Sequence, residues 1–197
     1  MHVNISLARG GRNIFAPGAD GAYSPAMRSF IAGVLARACE ICAFTNPVPG
    51  SYARFGSFEA PRYVAWSHQN RSQLIRIPAA PAPEYARIEV RMPDVSCNPY
   101  LAFALLLAAG FEGMERKLEL AEETPYDLYT ANAGALEALP ASLEEAIARA
   151  GGSAFVEKVL SADTARKYLA LKQAEQNRWF AARDKEKYQD EAYFGVL

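Results

Sequence analysis

Residues 2–8, HVNISLA, alternate apolar and polar positions, the period of a half-buried strand. Ser24-Pro25 is a helix start, with a capping side chain and a proline at the first helical position. The apolar set Phe30, Ile31, Val34, Leu35, Ala38, Ile41 and Cys42 has helical spacing and predicts a helix over 25–43. The stretch TNPVPGSYARFGSFEA, residues 45–60, is dense in Pro, Gly and Ser and predicts a long loop, a class that is often functional. Short strands are predicted near 62–67, 72–77 and 86–91 (ARIEVR), separated by Pro78, Pro81 and Pro83. Asn98-Pro99 opens a second helix that the apolar pattern carries to about Leu120. The remainder is predicted to be mostly helical. A capping box lies at Ser142-Leu143-Glu144-Glu145, a break at Gly151-Gly152, and a last long helix over 161–184. Strands thus gather in the first half and helices in the second, an α+β pattern.

Charge sharpens this division. The chain of 197 residues has a formal net charge of −1, but the sum hides a split. Residues 1–91 hold ten Arg, no Lys and five acids, a formal +5; residues 92–197 hold 11 basic and 17 acidic groups, a formal −6. Such an asymmetry points to an anionic partner on the basic half. Nucleic acid fits poorly, because Lys-rich patches with interleaved aromatics are missing and the rest of the chain is acidic. No apolar run approaches the length of a membrane span; the richest stretch, Tyr100 to Phe111, is too short. Residues 1–30 lack the basic segment and apolar run of a secretory leader, and the expected location is the cytoplasm. Cys39 and Cys42 form a C-x-x-C, but in a helical context with no second pair they read as small buried hydrophobes.

The strand ARIEVR carries the sharpest local signal. Alternation puts Arg87, Glu89 and Arg91 on one face and Ile88 and Val90 on the other. On an exposed edge, that charged face is a solvated ion cluster of little consequence. The neighbouring segments favour a different reading. Arg71 and Arg76 in NRSQLIRIP and Arg54 in the long loop bring five arginines and no lysine into one short region. Planar guanidinium groups suit bidentate recognition of phosphate or carboxylate. Glu89 among them is an ion-pair partner or a metal ligand, since bound phosphates often bring Mg²⁺. His2 is a candidate ligand that spacing alone does not join to Glu89. No G-x-S-x-G and no P-loop occurs.

The ordered set MHVNISL, FTNPVPGSYARFGSFEAP, SHQNRSQLIRIP, RIEVRMPD and NPYLAFALLLAAGFEGM resembles the C-terminal catalytic part of bacterial type I glutamine synthetase, from His2 to about Leu120. The resemblance implies an ATP-dependent ligation of ammonia to glutamate through γ-glutamyl phosphate, with Mg²⁺ or Mn²⁺ ions and a ring-forming homo-oligomeric parent. It implies that His2 and Glu89 ligate one metal, and that Arg71 and Arg76 contact phosphates. Arg87 and Ser6 fall on the nucleotide side, and Arg54 and Arg91 hold the glutamate carboxylate. Glu59 tips the flap that shields the acyl phosphate and takes a proton from ammonium. It also implies an α+β fold, an antiparallel sheet backed by helices with a helical C-terminal part, in which residues 1–120 are the C-terminal portion of the catalytic domain and 121–197 a helical extension of it.

This sequence departs from the family pattern. The segment from Arg54 to Glu59, R-F-G-S-F-E, is one residue shorter than the commoner form; Asn4 replaces a frequent His, and Glu84 a frequent Lys. Family members are about twice this length, and the strands carrying the other metal-binding carboxylates fall outside this chain. The expectation is therefore half an active site, inactive alone. The other readings are a γ-glutamyl-polyamine or related amine ligase of the same superfamily, and a non-catalytic folding or assembly module.

Overall fold

The structure, a computed structural model, describes residues 1–57 and 59–194. Its strands are short: β1 (Val3–Ile5), β2 (Ala8–Arg9), β3 (Arg12–Asn13), β4 (Trp66–His68), β5 (Ile75–Ile77) and β6 (Ile88–Val90). Four of them form one sheet in the order β1-β6-β5-β4, while β2 and β3 make a separate hairpin. The expected antiparallel pairing holds for β1 with β6 and for β5 with β6. The exception is β4, which runs parallel to β5 and makes the sheet mixed. Register places Asn4 and Arg76 on either side of Glu89, and Val3 and Ile75 on either side of Val90. One face of the sheet is therefore polar, and the other, with Ile5, Ile75, Ile77, Ile88 and Val90, enters the core.

That core is closed by α1 (Pro25–Thr45) and α2 (Pro99–Glu115). Both start as the sequence dictates: the Ser24 hydroxyl accepts from the Met27 amide, the Asn98 side chain accepts from Tyr100 and Leu101, and a proline follows each cap. The second helix stops at Glu115 rather than near Leu120. Lys117 turns into the left-handed region at φ 50°, and the Leu118 amide reaches back to the Gly113 carbonyl at 2.9 Å, a Schellman-type end. The two helices cross at glycine. A Cβ on Gly33 would lie 2.1 Å from the Ala109 carbonyl oxygen, and one on Gly113 would lie 2.1 Å from that of Ser29. Arg37 clasps Glu112 across the crossing, Nε to Oε2 at 2.8 Å.

Residues 121–142 are irregular, which corrects the expectation that the chain beyond residue 120 is mostly helical from its start. Pro125, Gly134 and Pro140 interrupt the alanine-rich stretch, and propensity cannot outweigh them. The segment covers the outer side of β4: Thr124 donates to Trp66, Val64 to Glu137, and Leu139 to Arg62. Helices α3 (Leu143–Ala150), α4 (Ala154–Leu160), α5 (Ala162–Ala181) and α6 (Lys185–Gln189) follow. The first has the expected Ser142 cap, and Tyr168 of α5 stacks on Phe44 with ring centroids 4.5 Å apart. Among the described residues no helix is long and apolar enough to cross a membrane.

The glycine crossing gives a direct test. Gly33→Ala is expected to lower stability by about 1–3 kcal/mol through overpacking. Urea unfolding followed by circular dichroism measures it, and an unchanged midpoint contradicts so close a crossing.

Candidate active site

The polar face of the sheet is organised around Glu89. Its strand is the second of four, flanked by β1 and β5, so the carboxylate is buried and the exposed-edge reading fails. One oxygen, Oε2, accepts from Arg76 Nε at 2.5 Å and from Arg91 Nη1 at 3.1 Å. The other, Oε1, faces His2 Nδ1 at 3.1 Å. Burial alone pushes the Glu89 carboxyl up, but hydrogen bonds and charge from Arg76 and Arg91 outweigh it and hold it below the usual range. For His2, burial and the nearby Arg91 lower the pKa against the pull of Glu89, favouring a neutral imidazole. A neutral imidazole beside one carboxylate oxygen not bound to arginine fits a divalent cation, and better Mn²⁺ than Mg²⁺. These two donors are a partial set: no group of three or more His, Cys, Asp or Glu capable of holding a metal occurs among the described residues.

Arg91 is wholly enclosed, its side chain 1% exposed. Besides Glu89, it donates from Nε to the Arg71 carbonyl at 3.1 Å and from Nη2 to the Glu59 carbonyl at 2.9 Å. It therefore ties the sheet, the NRS loop and the Glu59 segment together. Glu59 sits at φ 61°, in a region that costs a non-glycine residue about 1–2 kcal/mol. Its exposed carboxylate pairs with Arg71 at 2.9 Å, and that hydrogen bond and charge hold it below the usual range. The NRS loop is itself pinned from below. Asn70 donates to the carbonyls of Pro125 and Tyr126, Leu128 donates to Ser72 Oγ, and the Tyr129 hydroxyl donates to the Arg71 carbonyl.

The remaining predicted residues lie around this cluster without joining it. Arg87, at the start of the strand, reaches Asn4 Oδ1 and the Tyr85 carbonyl, each at 3.3 Å. Ser6 lies exposed beyond the end of β1, on a groove shared with Phe103 and Leu107. Arg54 ends the 3₁₀ helix Pro49–Arg54 and pairs with Asp94, Nε to Oδ2 at 3.1 Å, while a terminal nitrogen reaches the Met92 carbonyl. His68 belongs to the opposite edge, where it pairs with Glu123. Sequence reasoning missed Asp94. The signal was present in D-V-S: a strand ended by Pro93, then an aspartate accepting from the Ser96 amide and hydroxyl.

Two predictions follow from this geometry. Glu89→Ala leaves buried Arg91 with only the more distant, exposed Glu59 carboxylate, 3.7 Å away, and is expected to cost about 3 kcal/mol in urea unfolding; a loss below about 1 kcal/mol would show the cluster to be solvated. Asp94 behaves differently with pH. Burial pushes its carboxyl up, yet the Ser96 hydrogen bonds and the Arg54 charge bring it below 3.8. Its stabilisation is complete above the unfolded value and is lost as pH falls through the lower folded one. The gap in thermal midpoint between wild type and Asp94→Asn should hold steady from pH 7 to 5 and shrink below the ordinary carboxyl value of 3.8. A gap that widens on acidification contradicts the pairing.

Residues 1–190 match the family model described as "Glutamine synthetase, catalytic domain". The glutamine synthetase of Methanosarcina mazei is 42% identical over 188 residues, covering 92% of this chain and 42% of that protein. That of Azotobacter vinelandii is 41% identical over 183 residues, covering 89% and 39%. A solved structure described as "GmaS/ADP complex-Conformation 1" superposes with a TM-score of 0.81 at 25% identity, over 99% of this chain and 46% of that one. The chain spans about two-fifths of the length of the curated relatives it matches. The basic sheet face, its central glutamate and these likenesses agree: the chain belongs to the glutamine synthetase family and carries part of its catalytic domain.

Proposed function

We propose that this chain supplies the phosphate- and glutamate-facing half of an active site that joins ammonia to glutamate with ATP through γ-glutamyl phosphate. One observation carries the reading: Glu89 is held between Arg76 and Arg91 by one oxygen while the other faces His2. Phosphoryl transfer needs little covalent help and much preorganised charge. Arginines on fixed strand and loop positions provide that charge without reorganising.

In this reading His2 and Glu89 hold a Mg²⁺ or Mn²⁺ ion, which when bound neutralises phosphate charge. Arg71 and Arg76 lie toward the transferred phosphoryl group, and Arg87 and Ser6 toward the nucleotide; the structural neighbour solved as an ADP complex supports a nucleotide here. Arg54, paired with Asp94 and bonded to the Met92 carbonyl, is the other arginine of the glutamate clamp and meets the substrate carboxylate by loosening that pair. Arg91, committed to protein acceptors, fixes Glu59 and Glu89 on the other side. Glu59 shields the acyl phosphate from water and takes the proton from ammonium. Residues 1–120 carry this chemistry, residues 121–197 extend the same domain, and the parent is a cytoplasmic, ring-forming homo-oligomer.

With only two metal donors in place among the described residues, the chain alone is expected to make no glutamine from glutamate, ammonia and ATP, and formation of glutamine overturns this. Calorimetry with Mn²⁺-ATP is expected to show weak binding that His2→Ala abolishes. Absence of any binding supports the non-catalytic module instead.

A further inference from the structure

The two faces of the sheet part company at the end of β4. Register sets Ser67 beside Arg76 on the polar face and His68 beside Ile77 on the apolar face. The apolar face is not fully covered there. A cavity of about 180 Å³ remains, with Phe15, Met27, Ile77 and Ala86 as its buried floor. His68, Gln69 and Tyr23 stand at its rim, and the rest of the lining is proline and alanine. No residue of the Glu89 cluster reaches it. Apolar side chains that face a void forfeit their contacts on that side, a loss that a fitting guest restores.

The rim is chemically specific. One oxygen of Glu123, Oε1, accepts from the His68 backbone amide at 2.9 Å and faces the ring Nδ1 at 2.5 Å. A proton on Nδ1 serves that carboxylate and leaves Nε2 of the neutral ring as an acceptor. The His68 ring lines the cavity and Glu123 does not, so Nε2 is the nitrogen open to a guest. Gln69 follows at φ 62°, a left-handed conformation fixed on both sides: its amide donates to the Ile77 carbonyl at 3.1 Å, and the Asn70 amide donates to the His68 carbonyl at 2.8 Å. Strain of this kind persists where the surroundings impose it and gathers at binding sites. Burial and the charge of Glu123 push the Tyr23 hydroxyl up, so it stays protonated.

Size and lining define the guest. An apolar protein cavity of about 150 Å³ takes up benzene, and this one is of that order. No carboxylate and no lysine or arginine lines it, so a charged guest would lose its hydration without an opposite charge in return. The acceptor at His68 selects a guest with a donor on its edge. We propose that the cavity between the ends of β4 and β5 and the start of α1 binds a neutral, single-ring aromatic molecule of the phenol type, its ring over Phe15 and Met27 and its hydroxyl donating to His68 Nε2. The site lies on the face of the sheet opposite the Glu89 cluster and is independent of the functional reading.

Titration of the full chain with phenol, benzene and benzoate, followed by amide NMR shifts, tests this. Phenol is expected to give saturable shifts around Phe15, Met27 and His68, half-complete at about 1 mM or below, within reach of so small a ligand. Benzene should bind about fivefold more weakly for want of one hydrogen bond, and benzoate more weakly than phenol. His68→Ala keeps the backbone bond to Glu123 and should erase the preference for phenol over benzene, an effect that mere loosening of the fold does not produce. Ala80→Phe, at an exposed position of the lining, should block both compounds while the circular dichroism spectrum is retained. Saturating Mn²⁺-ATP should leave phenol binding unchanged. Shifts that do not saturate or that scatter over the surface overturn the proposal. So do benzene or benzoate binding as tightly as phenol, a phenol preference that survives His68→Ala, binding that survives Ala80→Phe, and displacement by Mn²⁺-ATP.

Discussion

A single buried carboxylate sets the terms for the rest of this molecule. Glu89 lies where a charge is expensive to bury, and it is tolerated because Arg76 and Arg91 donate to the same oxygen. Removing both partners would leave an uncompensated charge on an inner strand, and removing one would weaken its compensation. That requirement explains why the sheet has one polar and one apolar face rather than two apolar ones. It also explains why the helices lie on one side only, crossing closely at Gly33 and Gly113 behind the aliphatic residues. The other face carries the charged cluster.

Arg91 extends the constraint outward. By donating to the Arg71 and Glu59 carbonyls, it converts the central ion pair into a fixed platform for two loops. Glu59 is held in a left-handed conformation, which a flexible loop would relax. Local strain there is sustained by interactions that begin at the sheet. The site is thus stiff at Glu89 and progressively more exposed through Arg91, Arg71 and Glu59. Such a gradient suits the proposed role, in which phosphate charge is held rigidly while substrates enter at the rim.

Much of this was legible in the chain. Alternation in ARIEVR placed Arg87, Glu89 and Arg91 on one face, and the structure keeps them there; the caps at Ser24, Asn98 and Ser142 are where the sequence puts them. What composition and spacing left open was tertiary. Whether β6 is an inner or an edge strand decides between a buried cluster and a solvated one, and strand order is set by contacts far apart in sequence. The same holds for His2, which meets Glu89 only through the β1–β6 register. The parallel run of β4 and the irregular segment 121–142 escaped for a related reason. Each is fixed by backbone bonds to a distant partner; in 121–142 the local sign lay in Pro125, Gly134 and Pro140, which the alanine-rich composition masked. Asp94 was missed because its role is defined by Arg54, forty residues earlier in the chain.

The division of labour on Glu89, one oxygen for the arginines and one beside His2, is the central claim. Crystals of this chain grown with Mn²⁺ and ADP test it most directly through the anomalous scattering of manganese. The account predicts an anomalous peak between the His2 imidazole and Glu89 Oε1, with Arg76 and Arg91 still on Oε2. A manganese ion bound elsewhere, or a Glu89 that leaves its arginines to reach the metal, would contradict it.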